Sequence, residues 1–449
     1  MIIYMKIENY RSIGEAIEIN FLANSDKSHI ENLINLNNTN LLSVISIYGG
    51  NATGKTNIIK AIKNIVEIIS GVKSIEEAYD PCKFYPKTET NFEIFFIKNS
   101  IKHFYKLNYN KEKILEEKLY YYPKGKIAKI FDRKNSTFTF GNSFTLLENY
   151  KTISEKTNFL KTINEFLQGK IAEIEVVIKF FINEIVFMGL NNIEKDLKIA
   201  EEKYKKSYLE DNSNNTKKFL DYFYNNLNLG KIDIVYPARV SETINVALHN
   251  FLEENNNKSH TNNNSSKKEK ELTHISFKIS EDILKRFHSM LNITPKELEI
   301  VMKYRFKKKD IRISLHEESK GMQKIFSLGE TIVDILENNK LLLFDELEVG
   351  FHTLLAKKVI ELFLAKNNSA QLLFTTHDTS LLNLEVFRRD QIYFTCRSKE
   401  TDYNTKLISL GEIPGIRKTT DIEKEYLEGK YCPLPEYSLI YGKSCEKND

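Results

Sequence analysis

Two apolar rhythms alternate along this chain, and the switches between them place its elements. Ile2, Ile3 and Ile7 follow strand-like alternation. Leu41-Leu42-Ser43-Val44-Ile45-Ser46-Ile47-Tyr48 is a nearly continuous apolar run, the mark of a buried strand. Residues 57–66 then repeat apolar positions at helical spacing. Phe92–Ile97 and Phe104–Tyr109 read as strands of an antiparallel layer. From about residue 150 the pattern turns helical, and Ile174, Val177, Ile178, Phe181, Ile182 and Ile185 keep one face. Asn192–Tyr224 is charged and sparse in apolar residues, as in a short helical hairpin. Sustained heptads are absent, which excludes a long coiled coil. Residues 253–272 are polar and rich in Asn, Ser and Lys, a flexible loop. Further on, Ile325, Leu328, Ile332 and Ile335 define a helix, and Leu341–Phe344 and Leu372–Thr376 are short apolar strands. Asp421–Leu427 reads as a charged helix ending at Gly429.

Candidate chemistry sits where these elements meet. Gly49-Gly50-Asn51-Ala52-Thr53-Gly54-Lys55-Thr56 fits the phosphate-loop pattern G-x-x-x-x-G-K-[ST] between a strand and a helix. Its glycines let backbone amides wrap phosphates, and the helix N-terminus adds partial positive charge. In that pattern Lys55 reaches the β- and γ-phosphates and Thr56 ligates Mg²⁺. Asp345, at the end of an apolar strand, is placed to hold Mg²⁺ directly or through water. Glu346 points differently and is placed to orient or deprotonate a water. His377 follows a third strand, where it can sense a γ-phosphate. Ser319 is a good N-cap. Its hydroxyl, the Gly321 backbone and the helix N-terminus make a second anion-binding surface.

Taken in chain order, the phosphate loop, the Ser-x-Gly signature, the Asp-Glu strand and Thr375-Thr376-His377 resemble the ABC-type ATPases of the SMC and RecF branch. The opening Met5-Lys6-Ile7-Glu8-Asn9-Tyr10-Arg11-Ser12-Ile13 looks like their first strand and its Arg-Ser turn. Asn51 stands where their loop carries asparagine. Gly54-Lys55-Thr56-Asn57, and His352 after Asp345-Glu346, are most similar to stand-alone prokaryotic AAA/ABC-like ATPases of the RloA and abortive-infection kind. The resemblance covers roughly residues 1–120 and 310–435.

That resemblance implies an α/β fold: an ABC-type P-loop ATPase head with a mixed sheet, flanking helices, an antiparallel β layer and a helical insertion. It implies ATP and Mg²⁺ as cofactors, with nucleotide contacts extending to Arg11 and Asn57. It also implies that ATP lies between two heads, so that Ser319 of one caps the γ-phosphate of the other, which requires a homo-oligomer of at least two heads. The motifs divide the chain into a first ATPase lobe (1–140), a helical insertion (141–300), a second lobe (301–435) and a tail (436–449). The signature Ser319-Lys320-Gly321-Met322-Gln323 departs from the small or acidic residue that relatives often have before the glycine. Tyr105–Leu119, where a further metal-contacting glutamine is expected, contains none.

Bulk properties narrow the function. The chain has 65 basic and 61 acidic residues, a net charge of +4 that does not demand nucleic acid. Lys303–Arg312 is a local exception. It reads as a hairpin with a basic turn, expected to be a solvated tip, although nucleic acid remains a candidate partner there. The start lacks signal-peptide character and the chain has no membrane-length apolar run, so a cytoplasmic protein without membrane contact is expected. Cys82, Cys396, Cys432 and Cys445 lack metal or redox spacing, and no disulfide framework is expected. About 70 residues follow His377, too few for an ordinary added nuclease domain. Glu412, Asp421, Glu423 and Glu425 read as helix charge rather than as a metal cluster. The sequence therefore favours a sensor or scaffold ATPase in a prokaryotic anti-phage system, working with a separately encoded effector. The alternatives are a RecF-like repair ATPase that clamps nucleic acid and a nucleotide-binding structural protein.

Overall fold

The computed structural model describes residues 1–36, 39–167, 169–189, 193–209, 220, 231–236, 293–307, 309–349, 353–365 and 369–432. The expected loop 253–272, the tail 436–449 and His352 lie outside these residues.

Residues 1–190 and 335–449 make one compact unit and residues 191–334 another. The lobe limits read from sequence, at 140 and 300, fall within these units. In the first unit, β1 (Ile2–Glu8) and β2 (Ile17–Asn20) are followed by a separate ladder of β3 (Leu33–Leu36) and β4 (Thr39–Leu42). β5 (Val44–Tyr48) runs into α1 (Lys55–Ser70), and a short α2 (Ile75–Ala78) precedes a meander. The meander comprises β6 (Thr90–Lys98), β7 (Ile101–Tyr109), β8 (Ile114–Tyr122), β9 (Ala128–Lys134) and β10 (Thr137–Phe140). The helices α3 (Phe159–Leu167) and α4 (Ala172–Lys179) lead to the strand β11 (Ile185–Met188).

The second unit contains α5 (Ile193–Leu209), β12 (Lys231–Val235), β13 (Glu299–Phe306), β14 (Lys309–Ser314) and α6 (Lys320–Glu337) as far as Asp334. Tyr204 packs edge-on against Phe326 at 5.5 Å, and Lys203 pairs with Glu330 and Asp334. The first unit resumes with β15 (Leu341–Phe344), α7 (Thr353–Leu364), β16 (Gln371–Thr376), β17 (Ile392–Cys396), β18 (Lys406–Ser409) and α8 (Ile422–Leu427). Among the described residues no helix is long and apolar enough to cross a membrane.

Two sheets build the first unit. The antiparallel sheet runs β10-β9-β8-β7-β6-β1-β2, and the mixed sheet runs β11-β15-β16-β5-β17-β18. In the latter, five strands are parallel and β18 closes one edge antiparallel. The expected α/β architecture, with its antiparallel layer and flanking helices, is thus present. α1 buries Ile58, Ile62, Ile65 and Ile69 in a core shared with Met5 and Ile7 of β1, Ile94 of β6 and Leu343 of β15. Where α3 begins, the buried Glu117 carboxylate accepts from the Phe159 and Leu160 amides at 2.8 and 2.9 Å. The favourable end of the helix dipole thereby offsets part of the cost of burying that charge.

Three readings are corrected. The apolar run 41–48 is two strands: Leu42 ends β4, and β5 begins at Val44 in a different sheet. The Ser43 hydroxyl marks the break by donating to the Asn32 carbonyl at 2.9 Å. The helical face through Ile185 stops at Glu184, because Ile185–Met188 pairs in parallel with Leu341–Phe344. Finally, Cys396 and Cys432 form a disulfide across 36 residues, with their Cα atoms 5.5 Å apart. Tyr426 and Tyr431 stack on Phe394 at 5.2 and 5.0 Å, folding the segment after α8 back onto β17. Spacing could not reveal a pairing made by that packing.

Candidate functional site

The register of the mixed sheet brings the motifs to one edge. Thr376 lies beside Tyr48 and Phe374 beside Phe344, so three strand ends finish nearly flush. The loop after β5, the carboxylates after β15 and the histidine after β16 therefore share the carboxyl end of the sheet, the usual place for ligands in open α/β sheets.

The loop is held open by its own backbone and by its neighbours. Gly54, the residue capping α1, has φ 108°, and Ala52 has φ 61°. A side chain at Gly54 would be strained and would meet Thr405 and Ser12. Thr53 donates to the Gly50 carbonyl at 2.9 Å, and its hydroxyl lies 2.7 Å from that of Thr395. Thr405 donates to the Thr53 carbonyl at 2.9 Å and its hydroxyl lies 2.8 Å from that of Ser12, while Asn57 donates to the Ser12 hydroxyl at 2.7 Å. Asn51 and Ala52 are exposed at the loop tip. The Arg11 guanidinium pairs with Asp80 at 2.9 Å, while the Ser12 hydroxyl is joined to α1 by Asn57 and to the loop only through Thr405.

The Lys55 ammonium donates to the Gly49 and Gly50 carbonyls at 2.7 and 3.0 Å and lies 3.3 Å from His377 Nδ1. Burial lowers its pKa to about 8, against the opposing pull of Glu348, Glu346 and Asp345. His377 is also shifted down, first by partial burial and then by the Lys55 cation.

One hydroxyl organises the carboxylates. Thr375 Oγ1 donates to Asp345 Oδ1 at 2.7 Å and accepts the Glu346 amide at 2.8 Å. Glu346 is held at φ 52°, which turns it out of the strand path taken by Asp345. Thr56 donates to Asp345 Oδ1 at 3.2 Å. A hydroxyl and a carboxylate at that separation form a hard-oxygen donor pair of the kind Mg²⁺ takes. Glu348 Oε1 accepts the His377 amide at 2.6 Å, and its Oε2 is buried without a hydrogen-bond partner among the described residues.

Ser319 and Gly321 belong to the second unit. Ser319 Oγ accepts the Met322 amide at 3.3 Å, capping α6. The Gln323 side-chain amide donates to the Leu315, His316 and Glu318 carbonyls and fixes the segment leading into the cap. Among the described residues a Cβ at Gly321 would meet only the Ser319 hydroxyl, at 3.9 Å.

A family model described as "AAA domain, putative AbiEii toxin, Type IV TA system" matches residues 44–383, from the start of β5 to just beyond His377. The chain belongs to this AAA-domain family. No curated protein matches it. Among solved structures, an SMC head bound to the C-terminal winged-helix domain of ScpA is 12% identical, covering 91% of this chain and 97% of that one with a TM-score of 0.45. The SMC head domain from Thermotoga maritima is 12% identical over 91% and 98% of the two chains, with a TM-score of 0.40. The Smc head of Pyrococcus furiosus, with an extended coiled coil and bound to a ScpA domain, is 14% identical over 92% and 97%, with a TM-score of 0.37.

In this AAA-domain protein, sequence reasoning missed Glu348, Thr375, Thr395 and Thr405 as parts of the site. Glu348 carried a signal, a third acid two residues after Glu346. Thr375 stood in the Thr-Thr-His strand end of the resemblance but was given no role of its own. Thr395 and Thr405 sit on β17 and just before β18, with no motif around them. The basic hairpin β13–β14 forms as expected, and its charge is partly neutralised, Lys303 by Asp310 at 3.0 Å and Arg312 by Asp233 at 3.6 Å.

Proposed function

We propose that this AAA-domain protein is a Mg²⁺-dependent ATPase. In this reading it is the sensor or scaffold subunit of a cytoplasmic, prokaryotic anti-phage system and acts through a separately encoded effector. The convergence of Lys55, Thr56, Asp345, Glu346 and His377 at one sheet edge carries this reading. Lys55 exchanges the Gly49 and Gly50 carbonyls for phosphate oxygens. Gly49 to Thr56 present the backbone amides and the positive end of α1. Thr56 and Asp345 hold Mg²⁺, which when bound neutralises charge building on the phosphates. Glu346 orients the attacking water and takes its proton, and His377 meets the γ-phosphate. The partly neutralised hairpin disfavours the nucleic-acid clamp, and the family description supports a toxin–antitoxin or abortive-infection setting.

Two variants test the chemistry. Lys55→Ala is expected to weaken ATP binding in calorimetry with Mg²⁺. Glu346→Gln is expected to bind ATP and turn it over about 10²-fold more slowly or worse, the size of a lost general base. Unchanged turnover in Glu346→Gln removes Glu346 from that role. In cells, phage protection is expected to need a second gene and to vanish with either variant. ATPase activity stimulated by duplex DNA, salt-sensitive and without a partner, would favour the clamp instead.

A further inference from the structure

Beside the tip of the phosphate loop lies a pair of exposed aromatic rings from two distant segments. Phe84, between α2 and β6, is 55% exposed, and Tyr403, in the turn between β17 and β18, is 42% exposed. Their ring centroids are 5.4 Å apart. Asp402 and Tyr403 both have positive φ, 49° and 57°, so the turn that presents Tyr403 is strained. Arg397 joins this pair to the loop. Its guanidinium lies 5.9 Å from the centre of the Phe84 ring, Nε donates to the Tyr403 carbonyl at 2.7 Å, and Nη1 donates to the Ala52 carbonyl at 3.4 Å.

We propose that Phe84, Tyr403 and Arg397 form a stacking platform for the nucleobase of the nucleotide whose phosphates the loop holds. The proposal rests on the phosphate-loop reading and extends it to the other end of the same ligand. Large apolar rings kept in water by a strained turn mark a surface that something flat and apolar covers. Any nucleobase has such a face, and stacking on an aromatic ring or a guanidinium serves every base. Continuity decides between a base and a second protein: Arg397 spans from the platform to the exposed loop residue Ala52, so a bound nucleotide passes one end over the loop and the other over the rings.

The test compares Mg²⁺-ATP with inorganic tripolyphosphate, which lacks base and ribose, by calorimetry on the full chain. Phe84→Ala is expected to weaken ATP binding about tenfold, the size of one base stack, and to leave tripolyphosphate binding unchanged. Phe84→Trp is expected to restore ATP binding. Lys55→Ala is expected to weaken both ligands. If Lys55→Ala weakens both while Phe84→Ala alters neither, the platform fails and the loop stands. If Lys55→Ala alters neither, the loop reading fails beneath it. Phe84→Ala weakening both ligands equally would make Phe84 a prop of the loop and overturn the proposal. A changed oligomeric state with unchanged ATP affinity would assign the rings to a protein contact, and would also overturn it.

Discussion

At the scale of single residues, the candidate site turns on who holds whom. Thr375 fixes both carboxylates with one hydroxyl, and Glu348 fixes His377 through its main-chain amide. Glu348 is therefore expected to act by positioning. Glu348→Gln keeps an acceptor for the His377 amide, whereas Glu348→Ala does not. Steady-state assays are expected to show turnover falling about tenfold in Glu348→Ala, as one hydrogen bond is lost, and much less in Glu348→Gln. Equal losses would mean that the charge, not the bond, matters. Outside the site, His103 lies buried against Phe96, their rings 5.1 Å apart, and burial pushes its pKa down to about 4. The unfolded chain takes up that proton near pH 6.5. Between these values the unfolded state binds more protons, so this group's contribution is complete above pH 6.5 and is lost as the pH falls toward 4. From pH 7 to pH 5, urea unfolding of the native protein is expected to lose about 2 kcal/mol more than that of His103→Leu. Lys55, Thr56, Asp345, Glu346 and His377 were legible because each belongs to a local pattern at a strand end. Glu348, Thr375, Thr395 and Thr405 were not, because their partners lie on other segments, 29 to 393 residues away.

At the scale of elements, the strongly periodic segments read true, as did the short β15 and α8, whereas the short β11 did not. α1, β6, β7, β16 and α6 carry enough periods to declare themselves. β11 has four residues and follows a helix without a break signal, so only its pairing with β15 makes it a strand. The junction of β8, β9 and α3 shows why such packing matters. Glu117 holds the start of α3, and Arg133, 3.7 Å away, donates to the Asn135, Ser154, Glu155 and Thr157 carbonyls. Both side chains are almost fully buried. Glu117→Ala leaves the guanidinium buried without its counter-charge and α3 without its anion. A loss of about 3–5 kcal/mol is expected in denaturant unfolding, with ATP affinity retained by the folded protein. A loss under about 1 kcal/mol would mean that the four carbonyls alone satisfy Arg133.

At the scale of the whole molecule, the unit boundary falls inside the expected second lobe. The phosphate loop and the carboxylates lie in one unit, and the signature cap Ser319 lies in the other. The family resemblance implies that Ser319 acts on the nucleotide held by a second copy. Assembly should then follow nucleotide. Glu346→Gln, which binds ATP and retains it, is expected to sediment as a dimer or larger with Mg²⁺-ATP and to dissociate without it. Adding Ser319→Arg puts a bulky cation beside Gly321, where the opposing γ-phosphate would sit. The double variant is expected to bind ATP about as tightly and to remain monomeric, because the loop that binds is on one unit and the cap that closes is on the other. If Glu346→Gln stays monomeric with ATP at every concentration, or the double variant dimerises normally, the nucleotide is not shared between two heads and Ser319 is only the cap of α6.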